Sequence, residues 1–346
     1  MKLDNASPIR TVEELEDRLS EPTPQVIETL GRLEGDILVL GVGGKMGPTL
    51  ARMAIRATRE AGTRRRVIGV SRFSDRSLVQ RLNNWGIETI SADLLNDRQV
   101  AELPECANVV SMSGMKFGST GAEALTWAMN TFLAGIVSKK FNRSKIVAFG
   151  TGNIYPLSPV VLGGARESDS TAPIGEYAQS CLGRERMYEH FSRTQQTPMS
   201  IVRLNYANEL RYGVIVDIAQ QVWNGQPIDV TMGNFNAVWQ GDANAAALAS
   251  FAQVASPPFV FNLAGPEILS VRRVAEQLAA AMGKTAEFVG NEASTALISN
   301  GQLGHQLYGY PRVSIQQLIE WIAHWVSQGG HSLGKPTHFE TRDGKY

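Results

Sequence analysis

Cysteine is scarce. The 346 residues hold two, Cys106 and Cys181, too few for a disulfide framework and not spaced as a C-x-x-C metal site. An excess of either charge is missing as well. Thirty-three Lys and Arg balance thirty-three Asp and Glu, which removes the electrostatic reason to expect nucleic acid or an anionic membrane as partner. The five histidines (190, 305, 324, 331 and 338) are scattered without metal-ligand spacing, so no metal is expected. No apolar run reaches the length of a membrane span, and Met1-Lys-Leu-Asp-Asn5 begins no apolar leader, so the expected compartment is the cytoplasm. Internal repeats and low-complexity tracts are lacking too.

A cluster of glycines organises what is present. In Asp36-Ile-Leu-Val-Leu-Gly-Val-Gly-Gly-Lys-Met-Gly47 a short apolar run stops at a turn, and a helical pattern opens at Pro48. Glycines let the backbone turn sharply and approach a ligand, and the N–H groups at a helix start can hold a phosphate. The spacing is Gly41, Gly44, Gly47, with Lys45 and Met46 inside the turn. It is G-x-x-G-x-x-G rather than the usual G-x-G-x-x-G dinucleotide fingerprint. The candidate dinucleotide contacts begin here.

From this turn onward, strand and helix patterns alternate. Strands are expected at 37–40, 66–70, 88–91, 109–112, 145–149 and 200–204, with helices at 48–61, 77–85, 122–141 and 176–193. After residue 205, strands are expected at 226–231 and 259–263 and helices at 214–223, 243–255, 271–282 and 315–326, pieces of a smaller lobe. Such alternation predicts an α/β fold with a doubly wound parallel sheet. Four regions are expected: an N-terminal helical extension over 1–35, a dinucleotide-binding domain over 36–205, a smaller α/β substrate lobe interleaved with it over 206–330, and a polar tail over 331–346. Ligands in such sheets lie at the carboxyl ends of the strands. That rule singles out Ser71-Arg72, Asp93-Leu94 and the loop from Ser113-Gly114 to Gly118. A hydroxyl followed by a guanidinium suits a ribose 2′-phosphate, so Ser71 and Arg72, with Arg64 and Arg65 nearby, tilt the expected cofactor to NADP, with NAD as the alternative. Asp93 either accepts from the adenine amino group or caps the next segment.

Further along stand Ala148-Phe-Gly-Thr151-Gly-Asn-Ile-Tyr155 and Gly175-Glu-Tyr177-Ala-Gln-Ser-Cys181. With the glycine turn, these resemble the extended short-chain dehydrogenase/reductase family, the sugar-nucleotide epimerase and dehydratase group. Arg203-Leu-Asn205, Asp242, Asn262-Leu-Ala-Gly265 and Leu269-Ser-Val-Arg272 fit it in order and spacing over roughly residues 36–330. The resemblance implies an NAD(P)-dependent oxidoreductase or epimerase acting on the hydroxyl of a sugar, sugar acid or nucleotide sugar. Tyr177 is then the acid/base and Thr151 the group orienting the substrate oxygen. By analogy with the family, a homodimer pairs the helices at 122–141 and 176–193.

The sequence departs from the family at one position. Four residues after Tyr177, where the family carries lysine, stands Cys181. Positions i and i+4 share a helix face, and a thiol cannot supply the ammonium that favours a phenolate. Three readings stay open: another cation substitutes, the protein is a catalytically weak or inactive nucleotide-binding sensor or scaffold, or Cys181 takes part. Lys116, in a loop similar to the G-L-K-x-V-G loop of UDP-galactose 4-epimerases, is the candidate substitute, and Asn130 matches a family asparagine. Gly152 stands where dehydratases of the family carry an acid. No arginine precedes Val238-Trp-Gln-Gly-Asp242, where nucleotide-sugar enzymes grip a diphosphate. Arg203 and Arg211 are left as anion clamps. Asn205, Tyr206 and Trp239 are candidate linings for a sugar-like molecule, with a core aromatic the alternative for Trp239.

Overall fold

The computed structural model describes residues 7–116 and 118–345; Met1–Ala6, Phe117 and Tyr346 lie outside the described residues. Seven parallel strands form the central sheet: β1 Ile37–Leu40, β2 Val67–Ser71, β3 Glu88–Ser91, β4 Asn108–Ser111, β5 Lys145–Thr151, β6 Met199–Leu204 and β7 Phe259–Leu263. Their order is β7-β6-β5-β4-β1-β2-β3. Chain direction across the sheet reverses beside β1, where Ile37 pairs with both Val67 and Asn108. A parallel sheet covered on both faces needs strands apolar on both sides. Ile37, Leu38, Val39 and Leu40 are all fully buried, alternating between the two core layers. The expected α/β fold is the observed one. The last strand was expected in the smaller lobe; it instead extends the main sheet, each of its five residues pairing with one of β6 from Ser200 to Leu204.

Helices α3 Gly47–Glu60, α4 Arg76–Trp85 and the short α5 Asp97–Ala101 connect the first strands. The expected helix over 122–141 is built in three parts: α6 Glu123–Trp127, a π-helical turn Ala128–Phe132, and α7 Leu133–Lys140. Helix α8, Gly175–Gln195, packs along it. Gly183 lets the two backbones close, since a Cβ there would lie 2.6 Å from the Thr131 hydroxyl. Upstream, α1 Val12–Leu19 and α2 Pro24–Arg32 lie against α3, where Arg56 donates to Asp17 O at 2.8 Å.

A second core joins α9 Val214–Trp223, α11 Val271–Met282 and α13 Ile315–Ser327. Between the cores runs α10 Gln240–Ala249, with all ten residues buried. It opens three residues before the expected Ala243, because a helix buried all round has no polar face to mark its start. A further helix, α12 Gln302–Tyr308, packs near β7. The final segment forms neither helix nor strand, yet it is anchored. The Thr337 amide and hydroxyl donate to Asp217 at 2.7 and 2.6 Å, Phe339 is buried, and Arg342 donates to Thr295 O at 2.8 Å. Among the described residues no helix is long and apolar enough to cross a membrane.

Candidate functional site

At the carboxyl end of the sheet, beside the reversal of strand order, lies a cavity of about 400 Å³. Its floor is the glycine turn. Gly41 takes φ +84°, and a Cβ there would come within 2.9 Å of the Ser113 backbone. A Cβ on Gly47 would collide with Val42 O. The turn is therefore a backbone cradle that only glycine permits, continuing into the N-terminus of α3, as a dinucleotide phosphate requires. Gly41, Gly44, Lys45, Met46, Gly47, Gly114 and Lys116 all line the cavity.

Opposite the cradle, β5 delivers Thr151 and α8 delivers Tyr177. The Tyr177 phenol is within hydrogen-bond reach of both Thr151 and Cys181. Burial pushes its pKa well above the usual tyrosine value; Cys181 adds to the rise, while Arg184 and the Thr151 hydroxyl oppose it. Cys181 is 1% exposed, packed with Ile154, Tyr155 and Ala165, and burial raises its own pKa. A thiol so placed is a packing residue rather than a nucleophile.

Arg184 is the cation that sequence reasoning passed over. It lies seven residues after Tyr177, a spacing that also shares a helix face, and it lines the cavity. Its guanidinium donates to Phe149 O at 2.9 Å, to Asn130 O at 3.3 Å and to Asn130 Oδ1. Asn130 sits within the π-helical turn, where the extra residue per turn brings its amide inward. That amide also accepts from Met115 N and donates to Met115 O and Ser180 Oγ, each at 2.9 Å. It thereby ties the Lys116 loop to α8. Lys116 itself places Nζ 6.0 Å from the centroids of Tyr177 and Tyr206 and donates to Thr337 O at 3.1 Å.

Several expected contacts lie elsewhere. Arg211 does not line the cavity; its buried guanidinium is held by Glu209 at 3.1 Å and Glu16 at 3.6 Å. Arg203 is locked by Glu185, Tyr155 and Glu167 O, so it is no free anion clamp. Trp239 is core, edge-on to Trp321 at 5.6 Å. Asn205 and Tyr206 do line the cavity, Tyr206 held at φ +39°. On the side where an adenosine would extend, Ser71 lies under Gly43 and Arg72 is exposed, but neither lines the cavity. Arg65 is turned away, donating to Leu33 O at 2.6 Å at the end of α2. Asp93 accepts from Leu95 N at 3.0 Å but does not cap the next helix, whose N-cap is Asn96, and Leu94 is buried core.

No family model matches the sequence, and no curated protein matches it. Solved structures match in shape. A UDP-glucuronic acid 4-epimerase from Bacillus cereus in complex with NAD superposes with TM-score 0.69 at 16% identity, covering 85% of this chain and 99% of its own. A UDP-glucose 4-epimerase from Thermus thermophilus in complex with NAD gives 0.68 at 18%, covering 84% and 98%. A dTDP-glucose 4,6-dehydratase from Streptomyces venezuelae with NAD bound gives 0.72 at 16%, covering 85% and 97%. At these identities the likeness is one of fold, and this chain is built on the same seven-stranded plan.

Proposed function

We propose that this chain is an extended short-chain dehydrogenase/reductase that binds a nicotinamide dinucleotide and acts on the hydroxyl of a sugar-like molecule. One observation carries the reading: Thr151 and Tyr177 line a single cavity with the glycine cradle, the Thr151 hydroxyl close enough to the phenol to lower its pKa. A packing-only tyrosine has no need of that partner at that place. Gly41, Gly44 and Gly47 would hold the diphosphate and Gly114 the nicotinamide side. NAD is the form bound in the matching structures, while Ser71 and exposed Arg72 leave space for the 2′-phosphate of NADP. When bound, the dinucleotide supplies hydride transfer. Thr151 and Tyr177 then grip the substrate oxygen between them. Since burial keeps Tyr177 in its phenol form, its resting role is proton donor to an oxygen gaining negative charge. Arg184 stabilises that oxygen and the phenolate left behind.

The test is mass spectrometry of any nucleotide that co-purifies, followed by titration with NAD and NADP and a screen of sugars and sugar acids. Tyr177→Phe lowers kcat by about a hundredfold or more while leaving dinucleotide binding in place; unchanged turnover removes Tyr177 from the assignment. Cys181 in the lysine position favours a second reading, a nucleotide-binding protein without turnover. It stands if the nucleotide binds and no substrate is consumed. We further infer a homodimer through α6–α7 and α8, supported by the exposed Leu125, Trp127 and Phe132. Phe132→Glu makes sedimentation report a monomer.

A further inference from the structure

Four cationic side chains line the cavity, Lys45, Lys116, Arg184 and Lys335, and among the described residues no carboxylate does. Three of them arrive from separate parts of the chain: Lys45 from the glycine turn, Lys116 from the loop after β4, and Lys335 from the C-terminal segment. The N-terminus of α9 opens onto the same wall at Gly213 and Val214, adding its partial positive charge.

Lys45 does not turn down into the cradle. It crosses to the substrate side, where Nζ donates to Ala207 O at 2.9 Å and lies 3.7 Å from the centroid of the Tyr212 ring. An ammonium has three donors, so this bond leaves capacity for a ligand. Burial, then the repulsion of Lys116 and Arg211 against the attraction of Glu209, pushes Lys45 down to about 7; burial pushes Lys116 down to about 8. None of the neighbouring acids lines the cavity: Glu209 pairs with Arg211, Asp217 accepts from Thr337, and Glu340 lies 3.8 Å from His338. Ammoniums brought together without a carboxylate between them are arranged for an anion from outside. The diphosphate of a dinucleotide is served by the glycine backbone, on a different wall.

The linings narrow the anion. No arginine precedes Val238-Trp-Gln-Gly-Asp242 to grip a second diphosphate, and Arg203 and Arg211 are both held by carboxylates away from the cavity. The Lys116 ammonium lies 6.0 Å from the Tyr177 ring centroid, so one short molecule can reach both. Building on the dehydrogenase-type reading, we propose that the substrate is a small polyhydroxy carboxylic acid. Its carboxylate sits between Lys45 and Lys116, and its reacting hydroxyl, a few carbons away, rests on Thr151 and Tyr177.

The experiment is calorimetric titration of the full chain at saturating NAD. The probes are D-gluconate, D-glucuronate and D-erythronate, each set against a neutral counterpart (D-glucose, D-glucuronamide and erythritol). At least one acid is expected to bind about tenfold or more tightly than its counterpart. Lys116→Met, and Lys45→Met with Lys116→Met, are expected to erase that preference, and Lys116→Arg, which keeps the charge, to retain it. Wild-type protein that binds no NAD overturns the dehydrogenase-type reading and this proposal with it. Bound NAD with no preference for any acid, or a preference that survives in the double variant, overturns this proposal alone.

Discussion

Arg184 shows what a single side chain decides in this site. Burial pushes the Tyr177 phenol well above the ordinary tyrosine value, and the Arg184 guanidinium is the charge that opposes the shift. Removing it therefore raises the phenol pKa further. In Arg184→Met the basic limb of the pH–rate profile moves to higher pH, and ultraviolet titration of the tyrosinate moves with it, without reliance on turnover. Lysine introduced at position 181 of that variant, one turn from Tyr177 on the same face, moves both back down. A purely structural Arg184 would lower stability and leave the tyrosinate titration where it was. The sequence displays this residue openly in Cys181-Leu-Gly-Arg184, and a search confined to the i+4 position passes over it. Spacing i+7 on one face was the available signal. Arg211 and Trp239 fail in the opposite way. Their side-chain types suit a ligand, but Glu209 and Trp321 already satisfy them, and no local pattern records a partner supplied from elsewhere in the chain.

Among the elements, the π-helical turn at Ala128–Phe132 is the one on which the site's geometry turns. Asn130 joins three things that must keep register: the Lys116 loop through Met115, α8 through Ser180, and the Arg184 guanidinium. Asn130→Ala removes these bonds and leaves Arg184 short of acceptors in a buried place. At roughly 1 kcal/mol per neutral bond and more for the charged one, the loss is about 3 kcal/mol, read as a fall in the denaturant midpoint at unchanged m-value. The long helix itself was legible from its apolar spacing, but the bulge was not, because an extra residue per turn is imposed by Asn130's partners on other elements. The central strands were legible for a simple reason. Buried on both faces, β1 and the stretch Ile146–Phe149 of β5 are continuous apolar runs between glycine and polar turns. Strand β7 was visible as a strand, yet its place in the sheet depends on pairing with β6, which periodicity does not contain. The expected strand over 226–231 contracts to Ile228–Asp229, which pairs only with Phe288–Val289. So small a ladder has little repeating pattern to announce it.

At the scale of the whole molecule, the C-terminal segment joins the two cores across the mouth of the cavity. Leu333, Lys335 and Thr337 line that mouth. Thr337 also binds Asp217 at the start of α9, and its carbonyl accepts from Lys116. Beyond it, Phe339 enters the second core beside Phe235, at 6.4 Å between ring centroids, and Arg342 holds Thr295. The tail's polar composition, with its Gly and Pro, leaves both disorder and a surface wrap open, while its hold on the body rests on two buried side chains, Thr337 and Phe339. Phe339 is the anchor whose loss frees the rest. Phe339→Ala removes the buried ring at a cost of about 3–5 kcal/mol where the contact is fully made, part of it recovered because an end of chain can detach instead of leaving a cavity. The expected result is trypsin cleavage after Arg342, read by mass spectrometry, in the variant under conditions that leave the wild type whole. Weakened dinucleotide binding accompanies it, because Lys116 loses the Thr337 carbonyl and the wall it forms opens to water. An unclipped Phe339→Ala protein with wild-type affinity would mean that the strap is held by Asp217 and Thr295 alone.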